Sequence, residues 1–345
     1  PAEAGEFTRR AFLNGRLDLT QAEAIADLVA AETAEQRRQA LDQAAGALGR
    51  IYDAWRGRLI AAIAHVEAGI DFADEDLPAD IDRAARDALA ALAGEIAAHL
   101  DDGRRGERLR AGVHLALLGR PNAGKSTLLN LLAGRDAAIV SETAGTTRDV
   151  IEVHLDLGGV PVIVADTAGL RDSMDEIERE GVRRAAARAD WADLKLIVLD
   201  RGDWPDVPAD LRALAADGRA LVLVNKADLA PVDDLGDLDG VPVLALSART
   251  GAGVEAFIAR LTAEVRGLAL AGTGAAPGPT RARHRHALEE ARAALAQALD
   301  GWSRQGSELV AEDLRLAARA IGRITGRVDV EDLLDVIFAD FCIGK

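Results

Sequence analysis

Eight residues, Gly119-Arg120-Pro121-Asn122-Ala123-Gly124-Lys125-Ser126, carry the clearest chemical signal in the sequence. Glycines at the first and sixth positions of this pattern let the backbone fold back so that successive N–H groups point inward at an anion. Lys125 brings a positive charge to terminal phosphates, the Ser126 hydroxyl is an oxygen ligand suited to magnesium, and Ala123, Gly124 and Thr127 extend the backbone cradle. An apolar run over 113–118 precedes the pattern, and Leu128, Leu129, Leu131 and Leu132 follow it at helical spacing. The order is therefore strand, phosphate loop, helix, with the positive end of the helix facing the phosphates. Four fixed positions in eight do recur by chance, and the flanking strand and helix are what argue against chance here.

A phosphate loop alone does not choose the base. Asn225-Lys226-Ala227-Asp228 directly follows the apolar run 220–224, at the carboxyl end of a strand, where such sheets bind ligands. An aspartate there accepts from both the ring N–H and the exocyclic amine of guanine, a donor pair that adenine lacks. Ser247-Ala248-Arg249 follows the next strand and suits a loop donating backbone N–H to the guanine carbonyl. Asp166-Thr167-Ala168-Gly169 closes another strand, where the carboxylate holds magnesium through water and the glycine N–H meets the γ-phosphate. Thr146 and Thr147, in AGTTRD, fall where a hydroxyl closes over magnesium in the triphosphate state. Turn chemistry alone also accounts for Asp166–Gly169, and a plain polar loop for the two threonines. Taken in order, the five motifs predict GTP binding. One residue breaks the general scheme: the position after Gly169, where a glutamine would orient the attacking water, is Leu170. Leucine cannot do this, so hydrolysis must recruit another side chain or an ion.

The elements that position these loops are legible from periodicity. Strands are expected at 113–118, 151–157, 160–165, 194–199, 221–224 and 241–246, with helices at about 125–133, 176–188, 206–216 and 253–266, the texture of a parallel sheet with crossovers. On either side the chain is helical. Thr20 with Glu23 suggests a capping box, and Leu41, Ala45, Leu48, Tyr52, Trp55, Leu59, Ile63, Val66 and Ile70 form one stripe of a long amphipathic helix. Ile81 to Leu100 reads as a second helix running to a linker at Gly103–Gly106, and His65, lacking partners at ligand spacing, reads as structural. After a Gly/Pro-rich linker at 272–279 come stripes at Leu288, Leu295 and Leu299, then Leu309, Leu314, Ile321 and Ile324, then Leu333, Leu334, Ile337 and Phe341. Two amphipathic sets separated by a self-contained unit most simply pack together. The expected fold is an α/β P-loop GTPase domain, a mostly parallel sheet with helices on both faces, inserted into a discontinuous all-α helical domain. The expected limits are 1–110, 111–270 and 271–345.

Composition sets the frame. With 345 residues and 49% apolar content the chain can build two sizeable cores. Against 57 acidic residues stand 41 basic ones, a net charge of −16, so nucleic acid would have to be met by a local patch. A lone cysteine, Cys342, fits a reducing compartment, and the absence of a bilayer-length apolar run and of a leader pattern predicts a cytoplasmic protein without a membrane partner.

GRPNAGKSTLLN, AGTTRD, DTAGLR, NKAD and SAR, with the opening GEFTRRAFLNGRLDLTQAEAIADL and the closing FCIGK, resemble the MnmE (TrmE) family of tRNA modification GTPases across essentially the whole sequence. The resemblance implies GTP hydrolysis in modifying the 5-position of the tRNA wobble uridine, alongside an FAD-dependent MnmG-type partner and with a tetrahydrofolate derivative as one-carbon donor. It implies that Ser126 and Thr147 contact magnesium, that Asn122, Ser141, Thr143 and Thr146 contact potassium, and that Glu178 positions the attacking water, with Lys125 and Thr147 completing the catalytic set. Arg16 and Lys345 would contact the folate. Residues 1–17 would be the tail of an amino-terminal folate-binding domain that also makes the homodimer, so dimerisation is expected to be weaker without it. For Glu178 a plainer reading stands beside this one, since Asp175, Glu176, Glu178 and Glu180 suit the first turn of a helix. Cys342 is either a nucleophile exposed to partners or a small apolar residue beside Phe341 and Ile343. The tracts Arg104-Arg105 and Arg281-Ala282-Arg283-His284-Arg285-His286 suit tRNA phosphates or a solvated face. The alternative function is a ribosome-assembly GTPase of the Era or EngA kind that binds rRNA. Against it, Gly322-Arg323-Ile324-Thr325-Gly326 has one residue too many for a KH-type clamp.

Overall fold

The computed structural model describes residues 2–71, 79–134, 152–166, 192–216, 219–230, 235–270, 276–302, 307–328, 334 and 337–338. The chain divides into two compact units, one of residues 1–31, 36–110 and 272–345, the other of 32–35 and 111–271.

The first unit is helical. It holds α1 (Glu6–Leu13), α2 (Leu19–Ala30), α3 (Ala34–Ala44), α4 (Ala47–Asp71), α5 (Ala79–Leu100) and α6 (Arg105–Ala111). After the second unit it also holds α10 (Ala282–Gly301) and α11 (Ser307–Thr325). Its core is one cluster in which Tyr52, Trp55 and Leu59 of α4, Leu92 and Ile96 of α5, Leu288 and Leu295 of α10, and Leu314 and Ile321 of α11 interlock. Two stretches some two hundred residues apart thus share one hydrophobic core, as expected of a discontinuous domain. A smaller cluster seats Leu334 and Phe338 against Leu19 and Ala22 of α2.

Several local expectations need correction. The cap of α2 is Asp18, whose carboxylate accepts from the Gln21 N–H at 2.9 Å while the Gln21 side chain accepts from the Asp18 N–H at 3.0 Å. Thr20 instead lies inside the first turn and donates to Asp18. The long stripe is two helices, broken at Gly46, whose φ of 83° no branched residue adopts readily. Leu309, read as part of a core stripe, is 59% exposed; Val310 and Ala311 face inward in its place. The Gly103–Gly106 linker is taken over by α6 from Arg105 onward.

The tract Arg281–His286 is the largest correction. Arg283 forks onto Glu23 at 2.6 and 2.7 Å and also donates to the carbonyls of Arg323 and Ile324. Arg281 pairs with Asp27, which also takes Arg110, and Arg285 pairs with Asp102 and Glu107. His284, fully buried, meets Glu23 at 3.0 Å. The three arginines neutralise buried or part-buried carboxylates and knit α2, α6 and α10 together, so they are not a phosphate-binding face. Arg104 likewise pairs with Glu107. Burial, then Arg283, pushes the His284 imidazole down to about 4; burial pushes the Glu23 carboxyl up, but the Arg283 guanidinium and the contact with His284 outweigh it and hold Glu23 far below the carboxylate range.

The second unit is α/β. β1 (Val113–Leu118), α7 (Lys125–Ala133), β2 (Glu152–Leu157), β3 (Val160–Asp166), β4 (Leu194–Asp200), α8 (Ala209–Ala215), β5 (Ala220–Asn225), β6 (Asp237–Leu238), β7 (Val241–Ala245) and α9 (Val254–Ala269) follow in order. Among the described residues the sheet has seven strands in the order β2-β3-β1-β4-β5-β7-β6, with β2 antiparallel to β3 and β6 antiparallel to β7 and the other pairs parallel. β1 and β4 sit centrally and are apolar almost throughout, because helices cover both faces of a parallel sheet. Val207, Leu211 and Ala215 pack on Ile197, Val222 and Val243, while Phe257, Leu261 and Val265 of α9 are buried as a single stripe. Helix 206–216 is observed only from Ala209, and the two-residue β6 was not expected. The helix expected at 176–188 lies outside the described residues.

Candidate functional site

β1 lies between β3 and β4, so the chain leaving Leu118 emerges at the carboxyl edge of the sheet's centre. It must turn at once, and the turn passes so close to β4 that a Cβ on Gly119 would stand 2.3 Å from the Val198 carbonyl oxygen. Asn122 (φ 64°) and Gly124 (φ 96°) are left-handed, which bends the loop around the point where α7 starts. α7 has no side-chain cap, so the donors of its first turn, from Lys125, Ser126 and Thr127, are met by no capping side chain at this edge. Lys125 folds back into the loop, its Nζ donating to the carbonyls of Gly119 at 2.7 Å and Arg120 at 2.9 Å. Its ammonium thus sits inside the ring of backbone that the pattern predicts for a phosphate cradle.

The second strand end supplies a strut. Asn225, only 3% exposed, donates through Nδ2 to the Ala123 carbonyl at 2.8 Å and accepts at Oδ1 from the Ala248 N–H at 3.0 Å. One carboxamide therefore ties the phosphate loop to the loop after β7. The approach leaves room for no side chain opposite, since a Cβ on Gly124 would lie 2.1 Å from Asn225 Nδ2. Lys226, left-handed at φ 63°, extends to Asp200 at the end of β4 with Nζ–Oδ2 of 2.5 Å. A bond from the Gly202 N–H, then Lys226, holds the Asp200 carboxyl below its ordinary value.

Asp228 is the third element. Its Oδ1 accepts from the hydroxyl of the fully buried Ser247 at 2.6 Å, and its Oδ2 accepts from Arg249 Nη2. Ser247 Oγ in turn accepts from the Thr250 N–H at 3.1 Å, which fixes the hydroxyl's direction. Ser247 first, then Arg249, lowers the Asp228 carboxyl below its ordinary value, keeping it an acceptor at neutral pH. The structure thus brings Ala123, Gly124, Lys125, Asn225, Lys226, Asp228, Ser247, Ala248 and Arg249 to one sheet edge. Asp166 closes β3 in register with Leu117, at the same end of the sheet. Ser141, Thr143, Thr146, Thr147, Thr167, Ala168, Gly169, Leu170 and Glu178 lie outside the described residues.

Sequence reasoning missed Asp200 as the partner of Lys226, Asn225 as a strut, and the side chain of Arg249 as an Asp228 partner. The only available signal for Asp200 was a carboxylate ending the buried run 194–199.

In the helical unit Arg16 lines a cleft of about 620 Å³ together with Phe12, Asp18, Asp53, Thr325 and Arg327. Arg327 pairs with Asp53 at 2.8 Å, and the buried Thr325 hydroxyl has no hydrogen-bond partner among the described residues. Lys345 and Cys342 lie outside the described residues.

A family profile described as the MnmE helical domain matches residues 19–342. The chain is 59% identical over its whole length to the tRNA modification GTPase MnmE of Paramagnetospirillum magneticum, of which it covers 77%. It is 56% identical to that of Parvibaculum lavamentivorans and 57% to that of Rhodospirillum rubrum, covering 76% and 74% of them. The ribosome-assembly alternative finds no support among these relatives. Matched by the profile over residues 19–342 and by relatives 56–59% identical along its whole length, the chain belongs to the MnmE family of tRNA modification GTPases.

Proposed function

We propose that this chain holds GTP at the sheet edge built by Lys125, Asn225, Asp228 and Ser247 and hydrolyses it in the service of wobble-uridine modification. The observation that carries the reading is the Asn225 strut, which joins the phosphate loop to the base loop through two buried hydrogen bonds. In this reading the N–H groups of Ala123, Gly124, Ser126 and Thr127 bind phosphate oxygens and Lys125 offsets their charge. Asp228 accepts from guanine, and the Ser247-Ala248-Arg249 loop offers a backbone N–H to the guanine carbonyl.

The donors suited to metal are hydroxyl, carboxamide and carboxylate oxygens, the hard ligands that magnesium and potassium take. Ser126 and Thr147 would hold magnesium, with Asp166 reaching it through water, and Asn122, Ser141, Thr143 and Thr146 would hold potassium. Bound there, the two cations supply positive charge where negative charge develops between the β- and γ-phosphates. Glu178 would orient the attacking water that Leu170 cannot. A tetrahydrofolate derivative would be met by Arg16, which lines the cleft with Thr325 and Arg327, and by Lys345. Arg16 and the Thr325 hydroxyl, which has no hydrogen-bond partner among the described residues, suit an anionic, hydrogen-bonding ligand.

Further parts of the proposal are an FAD-dependent partner of the MnmG type, tRNA as the final substrate, a homodimer and a cytoplasmic location. No described helix is long and apolar enough to cross a membrane. We also take 1–110 with 271–345, and 111–270, as the limits of the two domains.

The test is made in cells whose chromosomal copy carries Lys125→Ala or Glu178→Ala. Nucleosides from their tRNA should lack the 5-substituted wobble uridine that the parent contains. Full retention of that nucleoside in both strains would overturn the assignment.

A further inference from the structure

The Asp228 carboxylate has two suitors of the same chemical kind. Guanine presents to it the ring N–H and the amine on the adjacent carbon, which together are a guanidine unit built into the base. Arg249 presents a guanidinium, planar, with donors in the same fork, and its Nη2 already donates to Asp228 Oδ2. The other oxygen is engaged by Ser247, whose hydroxyl is itself oriented by the Thr250 N–H and so remains in place. The Arg249 contact is the one that can give way. Its side chain is 76% exposed against 14% for Asp228, so it can turn into water without leaving a buried donor unpaired, whereas the carboxylate stays held by Ser247.

We propose that Arg249 acts as an internal competitor of guanine for Asp228 and thereby sets the affinity and the release rate of the nucleotide. The proposal rests on the reading of Asp228 as the base acceptor and deepens it. When the base lifts from the carboxylate, Arg249 recaptures Oδ2 and favours escape. Binding requires the reverse exchange, a cation leaving as a neutral base arrives. Lys125 and Lys226 are likewise satisfied by groups of the same sheet edge, through the Gly119 and Arg120 carbonyls and through Asp200. An exposed pair of this type shifts an equilibrium by a factor of roughly 1.5 to 5.

Fluorescent GDP is titrated into the full chain and then chased with unlabelled GDP, for the parent, Arg249→Ala, Arg249→Lys and Asp228→Asn. Arg249→Ala should bind about two- to fivefold more tightly and release more slowly in proportion. Arg249→Lys, which keeps the charge without the fork, should fall between it and the parent. The gain should fade at about 1 M salt, where ionic competition in the parent is screened. Equal or weaker binding by Arg249→Ala, with Asp228→Asn still losing GDP, would overturn the competition while leaving the base pocket standing. A gain that persists undiminished in high salt would overturn it too, because packing rather than charge would then be responsible. Undiminished GDP binding by Asp228→Asn would remove the pocket itself, and the proposal with it.

Discussion

Replacing Asn225 by alanine removes a side chain that ties the phosphate loop to the loop after β7, and its cost can be worked from the structure. Two hydrogen bonds are lost, at 2.8 Å to the Ala123 carbonyl and 3.0 Å from the Ala248 N–H. Both partners belong to buried residues, so neither group is fully repaid by water. A buried polar group left unmet costs about 1–3 kcal/mol. The carbonyl keeps a second lone pair and suffers less than the N–H, so the sum should be about 2–4 kcal/mol. For a unit of this size that lowers the melting temperature of the nucleotide domain by roughly 5–15 °C. In the proposed site both tethered loops meet the ligand, so an affinity loss of about 10- to 100-fold should accompany it. Asn225→Asp separates the two bonds. A carboxylate of the same shape still accepts from Ala248, but it sets an acceptor against the Ala123 carbonyl and buries a charge, so it should be no better than alanine. Thermal unfolding followed by circular dichroism, with fluorescent GDP titrated into the same samples, reads both effects. Affinity within twofold of the parent in Asn225→Ala would refute the strut, whatever happened to the melting temperature.

Acid should destabilise the helical domain. Burial, first among the causes, pushes His284 and His99 down to about 4, so the unfolded chain binds protons that the folded one refuses. Stability is then fully present above the ordinary histidine value of about 6.5 and is lost as pH falls toward 4, by up to about 3 kcal/mol per histidine. The lowered Glu23 carboxyl adds to the loss below about pH 4.5. Denaturant midpoints that stay level between about pH 7.5 and about pH 5 would contradict this. Asp228→Asn should lose about 10- to 100-fold in GTP affinity and gain for xanthosine triphosphate, since an amide offers a donor where guanine needs an acceptor. A titration with both nucleotides checks it. GTP turnover should be about tenfold or more faster in potassium than in sodium at matched ionic strength, with the difference lost in Asn122→Ala. Equal rates in the two salts would end the potassium proposal. Glu178→Ala should abolish turnover with nucleotide affinity intact, and unchanged turnover would return Glu178 to the role of a helix-start acid.

The loops gathered at the proposed nucleotide-binding edge were legible because their determinants are short in sequence. Gly119 and Gly124 mark turns that other residues cannot make, the apolar runs before Gly119 and Asn225 mark buried parallel strands, and strand ends are where such sheets bind. Periodicity likewise placed helices on both sides of the α/β unit, and the Leu59, Ile96, Leu288 and Leu314 stripes meet in one core. Where local rules failed, two candidates of similar quality lay close together. Asp18 and Thr20 both precede an apolar period, and the cap went to the residue whose partner three positions on is Gln21.

By itself, then, the sequence determined the chemistry of the loops and the order of the elements, since both depend on neighbours a few residues away. Tertiary structure alone decided which charges are surface and which are core. Glu23 and Arg283 are 260 residues apart in sequence yet form a buried fork, and nothing in a run of basic residues shows that carboxylates from α2 and α6 will reach it. The same holds for Asn225, whose partners Ala123 and Ala248 lie 102 and 23 residues away, and for Arg249 on Asp228. Hydrogen bonds and ion pairs are short-range in space, and only the packing of the sheet and helices brings those atoms within reach of one another.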